Sequence, residues 1–438
     1  MLDIKFIEEN KEDVQKSCKL RNIDCNVDDL IELNKERVAL LQEVEELNAQ
    51  KNQLNEKMKQ ASEQERAKII KKGKEVKKKL SQKDPKAKKM EKEFWKEMSR
   101  MPNVLSEDVP VGKDDTENMV ARKVGEPTVF DFEPKDHVDL GEALGIIDVK
   151  TAAKVSGSRF NYIKGGAALL QFAIIQFVFE IITDEKIIGK LAKKVGNLSD
   201  KPFVPVIPPV IVKSEIMKKM DRFDPIEDRY YLKDDDSLLV GSAEHSLGPI
   251  FASKVIDEQD LPVRLIGYST VFRREAGTYG KDTRGILRCH QFDKLEMESF
   301  TTADNGLVEQ DLIVAIQEYL VGELKIPYQV VQICTGDIGK PDFRQIDIEC
   351  WIPGQGKYRE THTSDYMTDF QARRLSTKVK RIDGNTELVH MNDATAFAIG
   401  RILIAIIENY QQVDGSILVP EILQKYMPRG MTKIEKKK

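Results

Sequence analysis

The sequence predicts an α+β chain: an antiparallel sheet flanked by helices, with an antiparallel α-helical coiled-coil hairpin at its N-terminus. Three observations carry that expectation. A 4-3 alternation of apolar residues runs from Leu33 to Ala61. Strand-like runs recur at 237–240, 263–272, 287–297, 328–334, 344–352 and 357–363, several joined by tight turns and none separated by a regular helical crossover. Between Phe272 and Glu298 the chain reads as a strand, a long Gly-rich turn and a returning strand with a row of charges at period two.

At 438 residues there is room for two or three domains, each with its own core. The net charge of -4 points to no partner, but it hides an asymmetry. Residues 51–100 hold 18 Lys and Arg against 8 Asp and Glu, the signature of a polyanion-binding arm on an otherwise acidic chain. Cysteines at 18, 25, 289, 334 and 350 are odd in number and lack CxxC spacing, which fits free thiols in a reducing compartment. The start, MLDIKFIEENKEDV, has no apolar core of a signal peptide. The apolar runs 167–182 and 394–407 are interrupted by polar residues, short of the roughly 18 to 20 residues of a membrane span. A cytoplasmic protein with no membrane partner is expected.

In the arm, Leu33, Arg37, Leu40, Val44, Leu47, Lys51, Leu54, Met58 and Ala61 form the seam of the first helix. Ser62 and Glu65 have capping-box spacing for a second helix. That helix turns Val76, Leu80, Ala87, Met90, Phe94, Trp95 and Met98 inward and stops before Pro102. Pro85 should kink it or break it in two. A hairpin over about 30–100 follows, with its tip near Ser62. Heptads alone leave a solvated spacer or dimeriser open. Lys71, Lys72, Lys74, Lys77, Lys78 and Lys79 on the returning helix favour RNA contact. Residues 103–135, rich in Asp, Pro and Gly, read as a linker.

The body, 136–438, opens with a helix over 169–185 and the run FVPVIPPVIV at 203–212, whose Pro208-Pro209 belongs at a sheet edge or interface. Arg288, His290, Phe292, Lys294, Glu296 and Glu298 share one face of the returning strand, and Arg273 and Glu275 one face of the outgoing strand. Leu287, Cys289, Leu295 and Met297 take the opposite, core-facing side. The charged face is either a solvated hairpin surface or the wall of a ligand site, because buried charges are costly unless paired. Arg401, inside ATAFAIGRILIAII, poses the same choice between an internal salt bridge and an anion. No P-loop, GxGxxG after a strand, HExxH or GxSxG occurs, and the five histidines show no zinc-like pairing.

The stretch FRREAGTYGKDTRGILRCHQFDKLEME resembles motif 2 of class II aminoacyl-tRNA synthetases, and of seryl-tRNA synthetases in particular. The likeness continues through DHVDLGEALGIIDVKTAAKVSGSRF (136–160), the Pro208-Pro209 segment, TSDYMTDFQARR (363–374) and ENYQQVDGSILVPEIL (408–423). It implies residues 1–102 as a tRNA-binding domain, a catalytic domain over 136–438, and serine activation by ATP followed by transfer to serine tRNA. Selenocysteine tRNA is a further candidate acceptor. It implies Arg273 and Arg401 as catalytic, with Arg274, Glu275, Arg288, Cys289, Phe292, Glu360, Thr361, His362 and Thr363 completing the ATP site. Glu360 and Thr363 would ligate Mg²⁺. Serine would meet Ser242, Ala243, Glu244, Arg273, Lys294, Glu296, Asn392 and Thr395, its hydroxyl falling to Glu296 and Thr395.

Departures are few. Ser242 replaces the family's usual threonine, His245 stands where valine is common, and one residue is added between Asn392 and Thr395. The stretch 186–202 is longer than the usual connection. No zinc-ligand set matches the metal-dependent archaeal form. The resemblance further implies a homodimer and no DNA partner. Two other readings remain: a carrier-protein amino-acid ligase, which would lack the arm, and a catalytically silent RNA-binding paralogue, which would lack Arg273, Glu360 or Arg401.

Overall fold

The computed structural model describes residues 1–275 and 284–436, so the Gly-rich turn expected at 276–283 lies outside the described residues. The chain divides into two units, 1–104 and 105–438.

The first unit is helical: α1 (Ile4–Glu9), α2 (Lys11–Leu20), α3 (Val27–Gln60) and α4 (Glu63–Arg100). Asn26 caps α3 by accepting from the Asp28 and Asp29 N–H groups. Its 34 residues give a length of about 50 Å at a rise of 1.5 Å per residue. Ser62 and Glu65 form the capping box that opens α4. The two long helices pack along Val44, Leu47, Val76, Ala87, Phe94 and Met98, all buried. The polar seam residue Arg37 lies 4.2 Å over the Phe94 ring and pairs with Glu91 at 2.9 Å.

Three expectations are corrected here. Helix α4 runs through Pro85 without a break; the long packed surface on α3 outweighs the one hydrogen bond that proline removes. Trp95 is 46% exposed, because a helix turns about 100° per residue and Phe94 already holds the inward position. Cys18 and Cys25 are joined as a disulfide, not free. The chain folds back after α2, with the Ile23 N–H on the Cys18 carbonyl and Gln15 bridging the Cys25 carbonyl and the Val27 N–H.

The second unit is built on an eight-stranded sheet. Its strands are β1 (Met119–Val124), β2 (Val204–Val206), β3 (Val263–Phe272), β4 (Gln291–Thr301), β5 (Tyr328–Gln332), β6 (Arg344–Ile352), β7 (Lys357–Thr368) and β8 (His390–Ala398). Their order is β1-β5-β6-β7-β8-β4-β3-β2. All neighbours are antiparallel except the short edge strand β2, which runs parallel to β3. Strand β1 lies within the stretch read from sequence as a linker, so that stretch is in part an edge of the sheet.

One face of the sheet is the main apolar core. It is covered by α5 (Gly165–Ile182), α6 (Glu185–Val195), α8 (Gly306–Glu323) and α9 (Ile399–Asn409), and it takes in Leu287, Cys289, Leu295 and Met297 as the strand alternation predicts. Helix α5 is long and apolar enough to cross a membrane by length and composition alone, yet Leu170, Ile174, Phe177 and Val178 are wholly buried in this core. Asp293, which interrupts the apolar side of β4, is accounted for: it accepts from Gln171, Tyr268 and Thr270. The opposite face carries a second apolar cluster around Leu265, Phe300 and Met391, and beside it the charged row.

Candidate active site

The strand ladder of β3 and β4 ends at the Phe272–Gln291 pair, so Arg273, Glu275, Arg288 and His290 lie just beyond the strands and not on their faces. The two chain ends stay clasped. Arg273 N–H donates to the His290 carbonyl at 3.0 Å, and the His290 ring returns through Nδ1 to the Arg273 carbonyl at 2.9 Å. His290, which sequence reasoning left without a role, thus fixes where Arg273 leaves the sheet. Glu275 has φ of 52° and places its carboxylate 3.1 Å from Arg288 Nη1. Gly285 has φ of 82°, and a Cβ there would meet His137 Nε2 at 2.1 Å. His137, paired with buried Glu408 at 2.8 Å, holds the following Ile286 N–H and so anchors the descending loop.

Two bulges set the remaining faces. In β7 the pairing skips Thr361, so Glu360 and Thr363 share a face although three residues apart. In β8 it skips Ala396, which brings Thr395 and Ala398 to one side. One cavity is therefore lined by Arg273, Glu275, Arg288, Phe292, Lys294, Glu360, Thr361, Thr363, Thr395 and Arg401, together with Ile286, Leu287 and Cys289. Arg273 lies over the Phe292 ring at 5.6 Å. Arg401, at the start of α9, meets Glu360 Oε1 at 2.8 Å and the Glu360 carbonyl at 3.0 Å. Burial would raise the Glu360 pKa, but the Arg401 and Arg273 charges outweigh it and hold the carboxyl below its ordinary value.

A second cavity adjoins the first. Ser242, Glu244, Arg222, Arg229, His245 and Asp365 line it, and it shares Arg273, Glu275, Arg288, Lys294 and Thr363 with its neighbour. Lys294 Nζ stands 3.2 Å from Ser242 Oγ and 2.6 Å from Glu296 Oε2. Glu296 is fully buried and its Oε1 has no hydrogen-bond partner among the described residues. Burial raises its pKa, opposed by Lys294. Glu244 accepts from Arg222 Nε at 2.6 Å; burial disfavours its charge, yet Arg222 prevails and keeps it well below the ordinary range.

Some residues expected at the site lie elsewhere. Arg274 stacks on Tyr230, 5.1 Å away, outside both cavities. His362 turns to the core face, tilted on Phe397, and burial lowers it to about 3. Ala243 is packed in the second apolar cluster. Asn392 falls on the far side of β8 and donates to the Gly306 carbonyl, while its neighbour Asp393 faces Arg222 and Glu244. Arg222, Arg229, Asp365 and Asp393 were missed in the sequence. The dense charges of DRFDPIEDRYY were the one signal for Arg222 and Arg229, and no periodicity told which of these charges, or of the strand aspartates 365 and 393, point inward.

Comparison with known proteins places this geometry. Residues 1–105 match the seryl-tRNA synthetase N-terminal domain, and residues 227–410 the class II tRNA synthetase core domain for G, H, P, S and T. The chain is 38% identical to the serine–tRNA ligase of Dictyoglomus turgidum over the whole of both chains. It is 36% identical to that of Rubrobacter xylanophilus over 98% of each. Among solved structures, seryl-tRNA synthetase from Pyrococcus horikoshii complexed with ATP superposes with a TM-score of 0.85 at 34% identity, covering both chains fully. Cytoplasmic serine–tRNA ligase from Naegleria fowleri in complex with AMP gives 0.82 at 28%, covering 100% of this chain and 99% of that one.

Proposed function

The chain belongs to the seryl-tRNA synthetase family, and from that premise we infer how its two cavities divide the work. The enzyme activates L-serine with ATP to seryl-adenylate and transfers the seryl group to tRNA. The observation that carries the assignment of sites is the shared wall: Arg273 and Lys294 border both cavities. The first cavity is the ATP site, with Phe292 for the adenine ring, Glu275 for its amino group, and Arg273, Arg288 and Arg401 for the phosphates. The second is the serine site, with Glu244 for the ammonium group; the hydroxyl is assigned to Glu296, buried beside the shared Lys294, and to Thr395 on the adjoining wall of the first cavity.

Adenylation joins two anions, the serine carboxylate and the α-phosphoryl group. The carboxylate is already ionised, so no general base is needed; positioning and charge neutralisation are. Arg273 at the junction can meet both reacting groups, and the guanidinium fork suits both. The carboxylate of Glu360 and the hydroxyl of Thr363, brought to one face by the β7 bulge, are hard oxygen donors that fit Mg²⁺. Bound there, the ion would neutralise phosphate charge. Burying the unpartnered Glu296 oxygen against a serine hydroxyl also explains selectivity. Alanine would leave it unsatisfied, a penalty worth up to about 10⁴-fold in sites of this kind.

The lysine-lined α4 is our candidate for tRNA contact, since all six lysines over 71–79 are exposed and helical RNA is read through its backbone. A homodimer is proposed on the apolar edge around β2, where Val204, Ile207 and Ile211 are 58%, 87% and 52% exposed. Serine-dependent ATP–pyrophosphate exchange tests the reading of the body: serine should support it far above alanine, glycine and threonine. Equal rates with all four would sink the assignment.

A further inference from the structure

One buried group at the junction is used by neither cavity's chemistry. His245, in the short helix α7 (Glu244–Leu247), is 3% exposed. Gly241 N–H donates to its Nδ1 at 3.1 Å, so Nδ1 is an acceptor and the ring proton sits on Nε2. Nε2 lies 3.4 Å from Glu244 Oε1, the oxygen that also accepts from Arg222. On the other side of the same residue, the Gly241 carbonyl accepts from Arg273 Nε at 2.9 Å. The fit is close: a Cβ at Gly241 would stand 3.3 Å from His245 Cε1.

We propose that His245 is a positioning residue that ties Arg273 to Glu244, through Gly241, and so sets the spacing between the α-phosphoryl site and the serine ammonium site. This rests on the functional reading above. The link needs one tautomer of a neutral ring, and the surroundings supply it. Burial lowers the imidazole to about 4, against the pull of Glu244 and with the help of Arg229 and Arg222, the charged groups that face it. A protonated ring would lose the acceptor that holds Gly241. The imidazole does not touch the reacting atoms; it acts through the backbone that Arg273 leans on and the carboxylate it donates to.

The two ring nitrogens make separable predictions in the exchange assay. His245→Leu removes both contacts and should lower kcat and raise the KM for serine, each about tenfold, the effect of one lost positioning hydrogen bond. His245→Asn keeps an acceptor near the Nδ1 position and should return kcat to within about threefold of wild type while the serine KM stays raised. His245→Gln places its amide further out and should favour KM over kcat. Leu and Asn variants with equal kcat, or a Leu variant that matches wild type, would overturn the proposal. If the Leu variant does not fold, Asn against Gln decides, and equal kcat for those two overturns it. Absence of serine-dependent exchange in the wild-type enzyme would instead remove the functional reading itself.

Discussion

At the scale of single residues, the candidate site holds buried carboxyls of opposite character. Glu244 and Glu360 are held ionised by arginines, whereas Glu298, fully buried beside Glu244 and Glu296, is pushed well above its ordinary value by burial and then by those charges. A carboxyl with a raised folded pKa stabilises the fold at low pH, and that contribution is lost as pH rises from the unfolded value through the folded one. Glu298→Gln keeps the neutral form at every pH. Its melting temperature should therefore fall less than that of wild type as pH rises above the ordinary carboxylate range, as read by thermal unfolding. An equal slope for both proteins would place the proton elsewhere. Arg273 has the opposite character, a cation shared by two cavities. Arg273→Lys loses the fork and the Gly241 contact together, and exchange should drop by about 10²-fold or more with the fold intact.

At the scale of elements, the bulges at Thr361 and Ala396 separate what was legible from what was not. Period-two reading placed Lys294, Glu296 and Glu298 on one face and Leu295 and Met297 on the other, as the structure has them. It could not foresee that Glu360 and Thr363 would share a face, since a bulge breaks the alternation from which faces are counted. The family resemblance put His362 and Asn392 at the site, and the strand geometry turns both away. Arg222 and Asp393 come together only through the topology, from positions with no local pattern. The capping box and helical seam were local, and both formed where the spacing said. Gly285→Ala, forced into a positive φ against His137, should disorder the loop over 286–289; the ATP KM is expected to rise with the serine KM little changed. A variant with wild-type ATP affinity would show that His137 is no anchor.

At the scale of the molecule, the two units have separate cores and distinct proposed tasks. Deleting residues 30–100 should abolish tRNA charging and leave pyrophosphate exchange nearly unchanged; loss of both would refute a separate RNA-binding role. Light scattering at micromolar concentration should report a dimer, and Ile207→Asp on the exposed edge should shift it toward monomer. Chelating Mg²⁺ should stop exchange without altering the far-ultraviolet circular dichroism, because Glu360 keeps its Arg401 partner. The common wall between the cavities has one more outcome. Two ligands that meet at a single guanidinium can be joined into one, and the second half then binds at the high effective concentration imposed by its tether. A stable, uncharged-linker mimic of an aminoacyl-adenosine should thus compete far more tightly than either fragment alone, and its advantage should shrink when Arg273 no longer bridges the two halves.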